Sequence, residues 1–188
     1  MIVIESRRKG IEKVAKLHPD SVIADVTSRS THPLYVTLSP FYPHGNLPVP
    51  YTDGILAESV EGIWQGLKVF ENQGVDTSYF YNRSMRNLKR TTRKYGRVLG
   101  HSKGIEPGAD ILDYELARRN IYIPTYRYML THSAKAKKAI AHLREYLDAG
   151  IDLVLLDYNT NTNVEDLRTP LSHASLIKNY LEKGDLIV

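Results

Sequence analysis

The chain has 188 residues, of which 42% are hydrophobic and 24% are charged, and its formal net charge is +4. These values are ordinary for a globular protein and exclude a disordered chain, and no apolar run approaches the roughly 20 residues that a membrane span needs. The sequence has no cysteine, which excludes disulfides, thiolate nucleophiles and thiolate metal ligands. We therefore expect a cytoplasmic protein with no membrane partner that forms one domain over residues 1–188.

Short apolar segments in the first part of the chain predict strands with one helix between them. Met1 to Glu5 and Ser21 to Val26 are predicted strands, and Gly10 to Leu17 is a predicted helix that Pro19 ends. Leu34 to Leu38 is predicted to be a third strand. The next segment, SPFYPHGNLPVP, contains four prolines, so we expect no regular structure there.

Ser59 to Phe70, SVEGIWQGLKVF, has the pattern of an amphipathic helix that is covered on two sides. At about 100° per residue, its apolar stripe consists of Val60, Ile63, Trp64, Leu67 and Phe70. Gly62 and Gly66 lie one turn apart on another face. A glycine pair inside a helix predicts the close approach of another backbone or of a ligand.

The same predicted helix carries a third line of polar residues, which are Glu61, Gln65 and Lys68 at positions i, i+4 and i+7. Such a row is either a solvated helix edge or the border of a cleft. The neighbouring glycine pair favours the cleft.

A long basic segment follows, with eight basic residues and no acid between positions 83 and 103. The basic residues are Arg83, Arg86, Lys89, Arg90, Arg93, Lys94, Arg97 and Lys103. Asn82 to Tyr95 has too few apolar residues for a buried helix, so we predict an exposed helix that Gly96 ends. The segment is either a solvated basic surface or a binding surface for the phosphates of a polymer or of a small nucleotide.

The C-terminal half is predicted to be mainly helical. The predicted helices are Ile111 to Asn120, Thr125 to Thr131, Ala134 to Leu147 and Ser172 to Leu181, and Pro124 separates the first two. Ile151 to Tyr158 has the continuous apolar run of a buried strand. The predicted fold class is therefore α+β, mainly helical, with a small sheet formed by this strand and the N-terminal strands.

Common catalytic motifs are absent from the sequence: it has no phosphate-binding glycine loop, no zinc-ligand spacing and no nucleophile elbow. The seven histidines include no i, i+4 pair on a predicted helix, so we expect no metal site. Asp157 and Asn159, at the end of the apolar strand, either contribute to a site or form a structural turn. We interpret His173 as the first residue of the last helix.

The loop LSPFYPHG and the helix SVEGIWQGLKVF resemble the NADAR or YbiA-like superfamily of N-glycosidases. In that superfamily, an LSNFYP-type loop leads into a helix of the form S/T-V-E-x-x-x-Q-x-x-K-x-F. The matching residues are Ser39, Phe41, Tyr42 and Pro43 on the loop, and Ser59, Val60, Glu61, Gln65, Lys68 and Phe70 on the helix. Arg97 to His101 is similar to the A-K-x-L-G-R element, with histidine in the place of arginine, and the W-G-x-G pattern of the superfamily is missing.

This resemblance implies a YbiA-like fold and hydrolysis of an N-glycosidic bond in a nucleotide-like substrate, such as ADP-ribosylated guanine, without a metal or organic cofactor. Glu61 would be the catalytic carboxylate, because cleavage of the bond between C1 and nitrogen develops positive charge on ribose. Lys68 would keep Glu61 ionised, position a phosphate or hydroxyl, or assist the leaving group. The residues expected to bind substrate are Phe41, Tyr42, Ser59, Trp64, Gln65, Arg97, His101 and Asp157.

Two other functions stay open. The first is a nucleic-acid-binding module without catalysis, which would use exposed tyrosines together with Arg83, Arg86, Lys89, Arg90, Arg93 and Lys94. The second is a catalytically inactive relative of the N-glycosidases that binds ADP-ribose or a related nucleotide.

Overall fold

The chain adopts a mainly helical α+β fold in the computed structural model, which describes residues 1–186. Helices hold about 40% of the residues and strands 17%, so the predicted fold class is confirmed. Two compact units are present: Met1–Ser39 with the described residues from Leu130 onward, and Pro40–Met129. The single domain over residues 1–188, of which the last two lie outside the described residues, remains a prediction.

The elements are numbered in chain order. The strands are β1 (Ile2–Ser6), β2 (Val22–Asp25), β3 (Leu47–Pro48), β4 (Leu56–Ala57), β5 (Lys68–Phe70), β6 (Val98–Ser102), β7 (Ile111–Leu112) and β8 (Leu153–Asp157). The helices are α1 (Ile11–Leu17), α2 (Val60–Gly66), α3 (Thr92–Tyr95), α4 (Tyr114–Ala117), α5 (Ile123–His132), α6 (Ala134–Asp148) and α7 (His173–Lys183). Short 3-10 helices occupy Arg7–Lys9, Tyr35–Leu38 and Thr77–Tyr81, and a π-helical segment occupies Arg118–Tyr122.

The first unit contains a parallel sheet in the order β1, β8, β2. The sequence predicts that these segments share a small sheet, but it predicts neither the order nor the direction of the strands. Val14 of α1 packs against Val154 and Leu156 on one face of the sheet, and α6 and α7 also contact β8. The predicted third strand is wrong, because Tyr35–Leu38 forms a 3-10 helix. A local contact stabilises this turn: the Thr37 hydroxyl donates to the Leu34 carbonyl at 2.6 Å.

The second unit contains two small antiparallel sheets, one of β3 with β4 and one in the order β5, β6, β7. The central helix begins after Ser59, rather than near Leu56 as the preceding turn signal predicts, because Leu56–Ala57 forms β4, and it ends at Gly66. Lys68 therefore lies on strand β5, where it is the cross-strand partner of His101. Strand pairing with β6 replaces the last predicted turn of the helix, and that partner is distant in sequence.

The predicted exposed helix over Asn82 to Tyr95 is also wrong, because only Thr92–Tyr95 is helical and both Leu88 and Arg90 are buried. Arg90 Nη1 donates to the carbonyls of Gln65 at 3.0 Å and Lys68 at 2.5 Å, and Nη2 donates to the Gly74 carbonyl at 2.8 Å. The guanidinium carbon also lies 4.8 Å from the centroid of the Phe70 ring. Arg90 is therefore an internal residue that joins the end of α2 to β5 and the following turn.

The break predicted at Pro124 is absent. From α4 the chain continues through the π-helical segment into α5, and Pro124 is the second residue of α5. A proline removes one backbone hydrogen bond of a regular helix, and the wider turn that precedes it avoids the usual clash. The helices predicted over Ala134 to Leu147 and Ser172 to Leu181 are confirmed.

The glycine pair of α2 lies against the 3-10 helix Thr77–Tyr81, so the predicted close approach of another backbone is confirmed. A Cβ atom on Gly62 would lie 2.6 Å from the carbonyl oxygen of Tyr79, and one on Gly66 would overlap the Phe80 ring. The backbone of α2 therefore packs directly on this segment.

We expect Gly62→Ala to lower the free energy of unfolding by about 1–3 kcal/mol, because its new methyl group meets a backbone carbonyl that cannot rotate away. Gly74→Ala is the matched control, since a Cβ on Gly74 has no atom within 4 Å. Urea denaturation of both variants measures the difference. Equal stabilities would contradict the packing of α2 described above.

We expect Arg90→Ala to lower the free energy of unfolding by about 3 kcal/mol or more, because three carbonyls lose their donor. Arg93→Ala, on the exposed part of the same basic segment, should change it by less than about 0.5 kcal/mol. Thermal denaturation compares the two variants. If Arg90 lay at the surface, Arg90→Ala and Arg93→Ala would change the free energy of unfolding by similar amounts.

Candidate functional site

Five residues of the second unit form one cluster, which we name the Glu61 cluster: Glu61, Trp64, Gln65, Lys68 and His101. The start of α2 fixes its position. Ser59 is fully buried and its side-chain oxygen accepts a hydrogen bond from the Gly62 amide at 3.0 Å, so Ser59 is the N-cap of α2. The expected substrate-binding residue Ser59 thus has a structural role in this helix.

Glu61 and Gln65 lie one turn apart and are held in a fixed orientation. Glu61 is only 7% exposed, and its Oε1 accepts a hydrogen bond from Gln65 Nε2 at 2.8 Å. Gln65 Oε1 in turn accepts from the backbone amide of Arg90 at 3.1 Å. Because both ends of the Gln65 amide are bound, its nitrogen can face only the carboxylate. Gln65 therefore positions Glu61, which the helical spacing alone does not reveal.

Lys68 is close enough to Glu61 for the two charges to interact. Burial lowers the pKa of Lys68 below its ordinary value, the charge of Glu61 opposes that shift, and Arg90 and Lys89 add to it. The Lys68 Nζ atom lies 5.9 Å from the centroid of the Trp64 ring. The site thus holds an amine that loses its proton more readily than a surface lysine, beside a buried carboxylate.

His101 is the most buried member of the Glu61 cluster, with 1% of its surface exposed. Its ring stacks on Trp64, with centroids 3.7 Å apart and planes inclined by 32°. Burial lowers the pKa of His101 well below its usual value, and the charges of Lys68 and Arg90 lower it further. The Trp64 backbone opposes this shift, but neither ring nitrogen has a hydrogen-bond partner of normal geometry among residues 1–186. His101 is therefore neutral near pH 7.

Two tyrosines that sequence analysis did not identify lie beside Trp64. The Tyr122 ring is 5.5 Å from Trp64 in an edge-on arrangement, and the Tyr114 ring is 6.0 Å away. Tyr122 belongs to the π-helical segment, whose wider turn changes which residues face α2. No periodic pattern in the sequence reveals such a change, so this half of the site could not be predicted.

The proline-containing loop is attached to the start of α2. The Glu61 amide donates to the Pro40 carbonyl at 2.8 Å, which brings the loop to the first turn of the helix. Phe41 and Tyr42 are half-buried in this loop. The Phe41 ring centroid lies 5.8 Å from Lys89 Nζ, and the Tyr42 ring lies 4.9 Å from His44. The loop and helix of the resemblance are thus adjacent in space.

Arg97 lies at the surface. Its side chain is 77% exposed and forms an ion pair with Glu71 at 3.1 Å, and its backbone amide donates to the same carboxylate. Arg83 is likewise paired, with Glu58 at 2.7 Å. The geometry gives both arginines a carboxylate partner, whereas the sequence suggested phosphate partners.

Asp157 belongs to the first unit and has its own cluster at the carboxyl end of β8. Its Oδ2 accepts from the Ser172 hydroxyl at 2.8 Å and from His173 Nδ1 at 2.9 Å. His173 Nε2 faces the Val26 carbonyl at 2.8 Å, so both ring nitrogens face acceptors. Burial opposes ionisation of the pair, yet the pKa of Asp157 is lowered and that of His173 is raised by their mutual attraction. His173 begins α7, as predicted.

No group of three or more His, Asp or Glu side chains within residues 1–186 is arranged to hold a metal ion. In the same part of the chain, no helix has the length and apolar character that crossing a membrane requires.

The neutral state of His101 predicts a pH dependence of stability. The unfolded chain protonates this residue below about pH 6.5 and the folded chain does not, so its contribution to stability falls as the pH falls below that value. His101→Phe keeps a ring against Trp64 and cannot titrate. Relative to the variant, we expect wild type to lose up to about 1.4 kcal/mol of unfolding free energy per pH unit below about pH 6.

Urea denaturation of both proteins across this pH range measures the difference. This difference in unfolding free energy should be constant above about pH 7, where His101 is neutral in both the folded and the unfolded chain. A difference that does not change with pH would contradict a buried neutral His101.

Comparison with known proteins identifies a family but no characterised relative. No curated protein and no solved structure matches the chain. One family model, described as a family of unknown function, DUF6939, matches residues 6–177 and so spans most of both units. The chain therefore belongs to DUF6939.

Proposed function

We propose that this protein is a hydrolase that cleaves an N-glycosidic bond of a nucleotide-like substrate, with Glu61 as its catalytic carboxylate. The proposal combines the resemblance of the loop and helix to the NADAR or YbiA-like superfamily with the chemistry of the Glu61 cluster. That superfamily relationship is itself part of the proposal. We also propose that the protein acts in the cytoplasm.

One observation carries the proposal: a buried carboxylate is oriented by an amide that the fold itself holds in place. Gln65 binds Glu61 at 2.8 Å and is anchored on the Arg90 backbone at 3.1 Å. A preorganised charge costs little reorganisation when positive charge develops beside it, which is the electrostatic requirement of glycosidic cleavage. A solvated helix edge does not require this arrangement.

The reaction would proceed as follows. The bond between C1 and nitrogen breaks, and its electron pair stays with the leaving base. The ribose ring acquires oxocarbenium character, which the Glu61 carboxylate stabilises. A water molecule then forms the new bond to C1 and gives its proton to Glu61. Lys68, whose pKa is lowered by burial, can return a proton to the leaving nitrogen.

Lys89 is a better candidate than Arg97 for binding a substrate phosphate. Its side chain is exposed, lies over Phe41 and is close enough to Lys68 to affect the pKa of that residue. Arg97 is paired with Glu71. We therefore assign the phosphate contact to Lys89.

Nucleic-acid binding is the second candidate function. The exposed cations Arg86, Lys89, Arg93 and Lys94 favour it. Arg90 does not, because its guanidinium binds backbone carbonyls. With Arg83 also paired to a carboxylate, the basic segment offers fewer cations than its sequence suggests, and we rank this function below the hydrolase.

Mass spectrometry tests the proposal by following release of ADP-ribose or free base from ADP-ribosylated guanine nucleotides and from ADP-ribosylated DNA. We expect release by wild type and a loss of at least about a hundredfold in Glu61→Gln, because the amide cannot stabilise the positive charge. The variant keeps an oxygen that can accept from Gln65, so its fold should be intact.

Glu12→Gln is the matched control, because it makes the same change at an exposed position of α1. It should leave the rate unchanged. No release by folded wild type, or equal rates for wild type and Glu61→Gln, would refute the assignment of Glu61.

A further inference from the structure

His101 has an unusual environment for a histidine. It is buried, and neither ring nitrogen has a hydrogen-bond partner of normal geometry in the described part of the chain, although the Trp64 backbone is close enough to affect its pKa. By contrast, His173, which is also buried, faces an acceptor with each ring nitrogen. Buried polar atoms of folded proteins almost always have partners, and each exception calls for an explanation. The unpaired nitrogens of His101 therefore point to a ligand.

Trp64 covers the His101 ring. The two rings are stacked at 3.7 Å, and Trp64 is itself only half-buried. Trp64 also contacts the rings of Tyr114 and Tyr122, whose centroids lie 6.0 and 5.5 Å from the Trp64 centroid. Ring contacts of this kind are less directional than hydrogen bonds, so a ligand that brings its own planar ring can replace one of them.

The π-helical segment adds an independent observation. Tyr122 is its last residue, and segments of this kind are rare and often occur at functional sites. Here the segment places an aromatic edge against Trp64. Trp64 therefore lies between the buried histidine and a locally distorted helix.

The charges near His101 indicate what kind of group it can bind. Burial lowers the pKa of His101 and the charges of Lys68 and Arg90 add to that shift, so the ring is neutral and has one N–H donor and one acceptor nitrogen. The Lys68 amine favours a partner that has a carbonyl oxygen, whereas the Arg90 guanidinium already binds three backbone carbonyls. A ring that stacks on indole must be planar. An uncharged heteroaromatic ring with a carbonyl group next to an N–H group meets these requirements.

We propose that an uncharged planar ring of this class binds beside Trp64, with an in-plane hydrogen bond to the edge of the His101 ring, and that Trp64, which packs on the face of that ring, moves to admit it. The inference rests on the proposed function, since that ring would be the base released from C1. His101 then recognises the leaving base, and Glu61 acts on the sugar. Base recognition and cleavage are thus assigned to different residues.

Trp64 is the only tryptophan of the chain, so tryptophan emission, excited where its 13 tyrosines do not absorb, reports on this site alone. The probes are guanosine, which has the required ring, and ribose 5-phosphate, which has none. Both are titrated into Glu61→Gln, which binds without turnover, and into the double variant Glu61→Gln with His101→Phe. We expect guanosine to change the Trp64 emission saturably, ribose 5-phosphate not to change it, and the double variant to bind guanosine about tenfold more weakly.

Absence of guanosine binding, binding without a change in emission, or equal affinity of the two variants would each overturn the inference. Circular dichroism confirms that the double variant is folded. If the double variant is not folded, the guanosine titration of Glu61→Gln alone decides whether the inference holds. A saturable change in emission from a protein that releases no product would leave this inference standing and refute the proposed function. Product release with equal KM for wild type and His101→Phe would support the proposed function and refute this inference.

Discussion

The Arg90 guanidinium is the interaction on which the second unit depends. Its three hydrogen bonds reach the carbonyls of Gln65, Lys68 and Gly74, which belong to the end of a helix, to a strand and to the turn after it. Aromatic rings of Phe70, Tyr79 and Tyr95 surround the same group at 4.8 to 5.8 Å. Carbonyls at a helix end lack intrahelical donors, so a buried cation is an effective substitute. The helix can therefore stop at Gly66 and give way to β5.

The same residue connects the fold to the candidate site. The Arg90 amide orients Gln65, Gln65 orients Glu61, and the abrupt end of α2 moves Lys68 onto β5 beside His101. A helix that continued to Phe70 would instead have placed Lys68 almost two turns beyond Glu61. Because the helix ends before Lys68, the polar residues do not form a straight line along one helix face. The Lys68 amine, the Glu61 carboxylate and the neutral His101 imidazole can therefore lie close to one another.

The first unit handles buried charge in a different way. Asp25 and Asp157 end two parallel strands, and each has a cationic partner: Arg7 at 2.7 Å for the first and His173 at 2.9 Å for the second. Both ring nitrogens of His173 face acceptors, so this pair holds the start of α7 against the sheet. The unpaired nitrogens of His101 contrast with this arrangement. A pair whose polar atoms are satisfied indicates structure, whereas unsatisfied atoms in a cluster of titratable groups point to a ligand.

Local sequence patterns by themselves determined the α+β class, the three strands of the first unit's sheet, the helices near the C-terminus and the close approach at Gly62 and Gly66. Each of these depends on apolar periodicity or on the missing Cβ, which are properties of neighbouring residues. Only the tertiary structure decided that Arg90 is internal, that Lys68 lies on a strand and that Tyr122 faces Trp64. These positions depend on hydrogen bonds and ring contacts between segments that are distant in the chain, and on a π-helical turn that changes the register of side chains. The sequence shows that a residue such as Arg90 is basic, but only its contacts in the folded chain show whether the side chain is buried in protein or exposed to solvent.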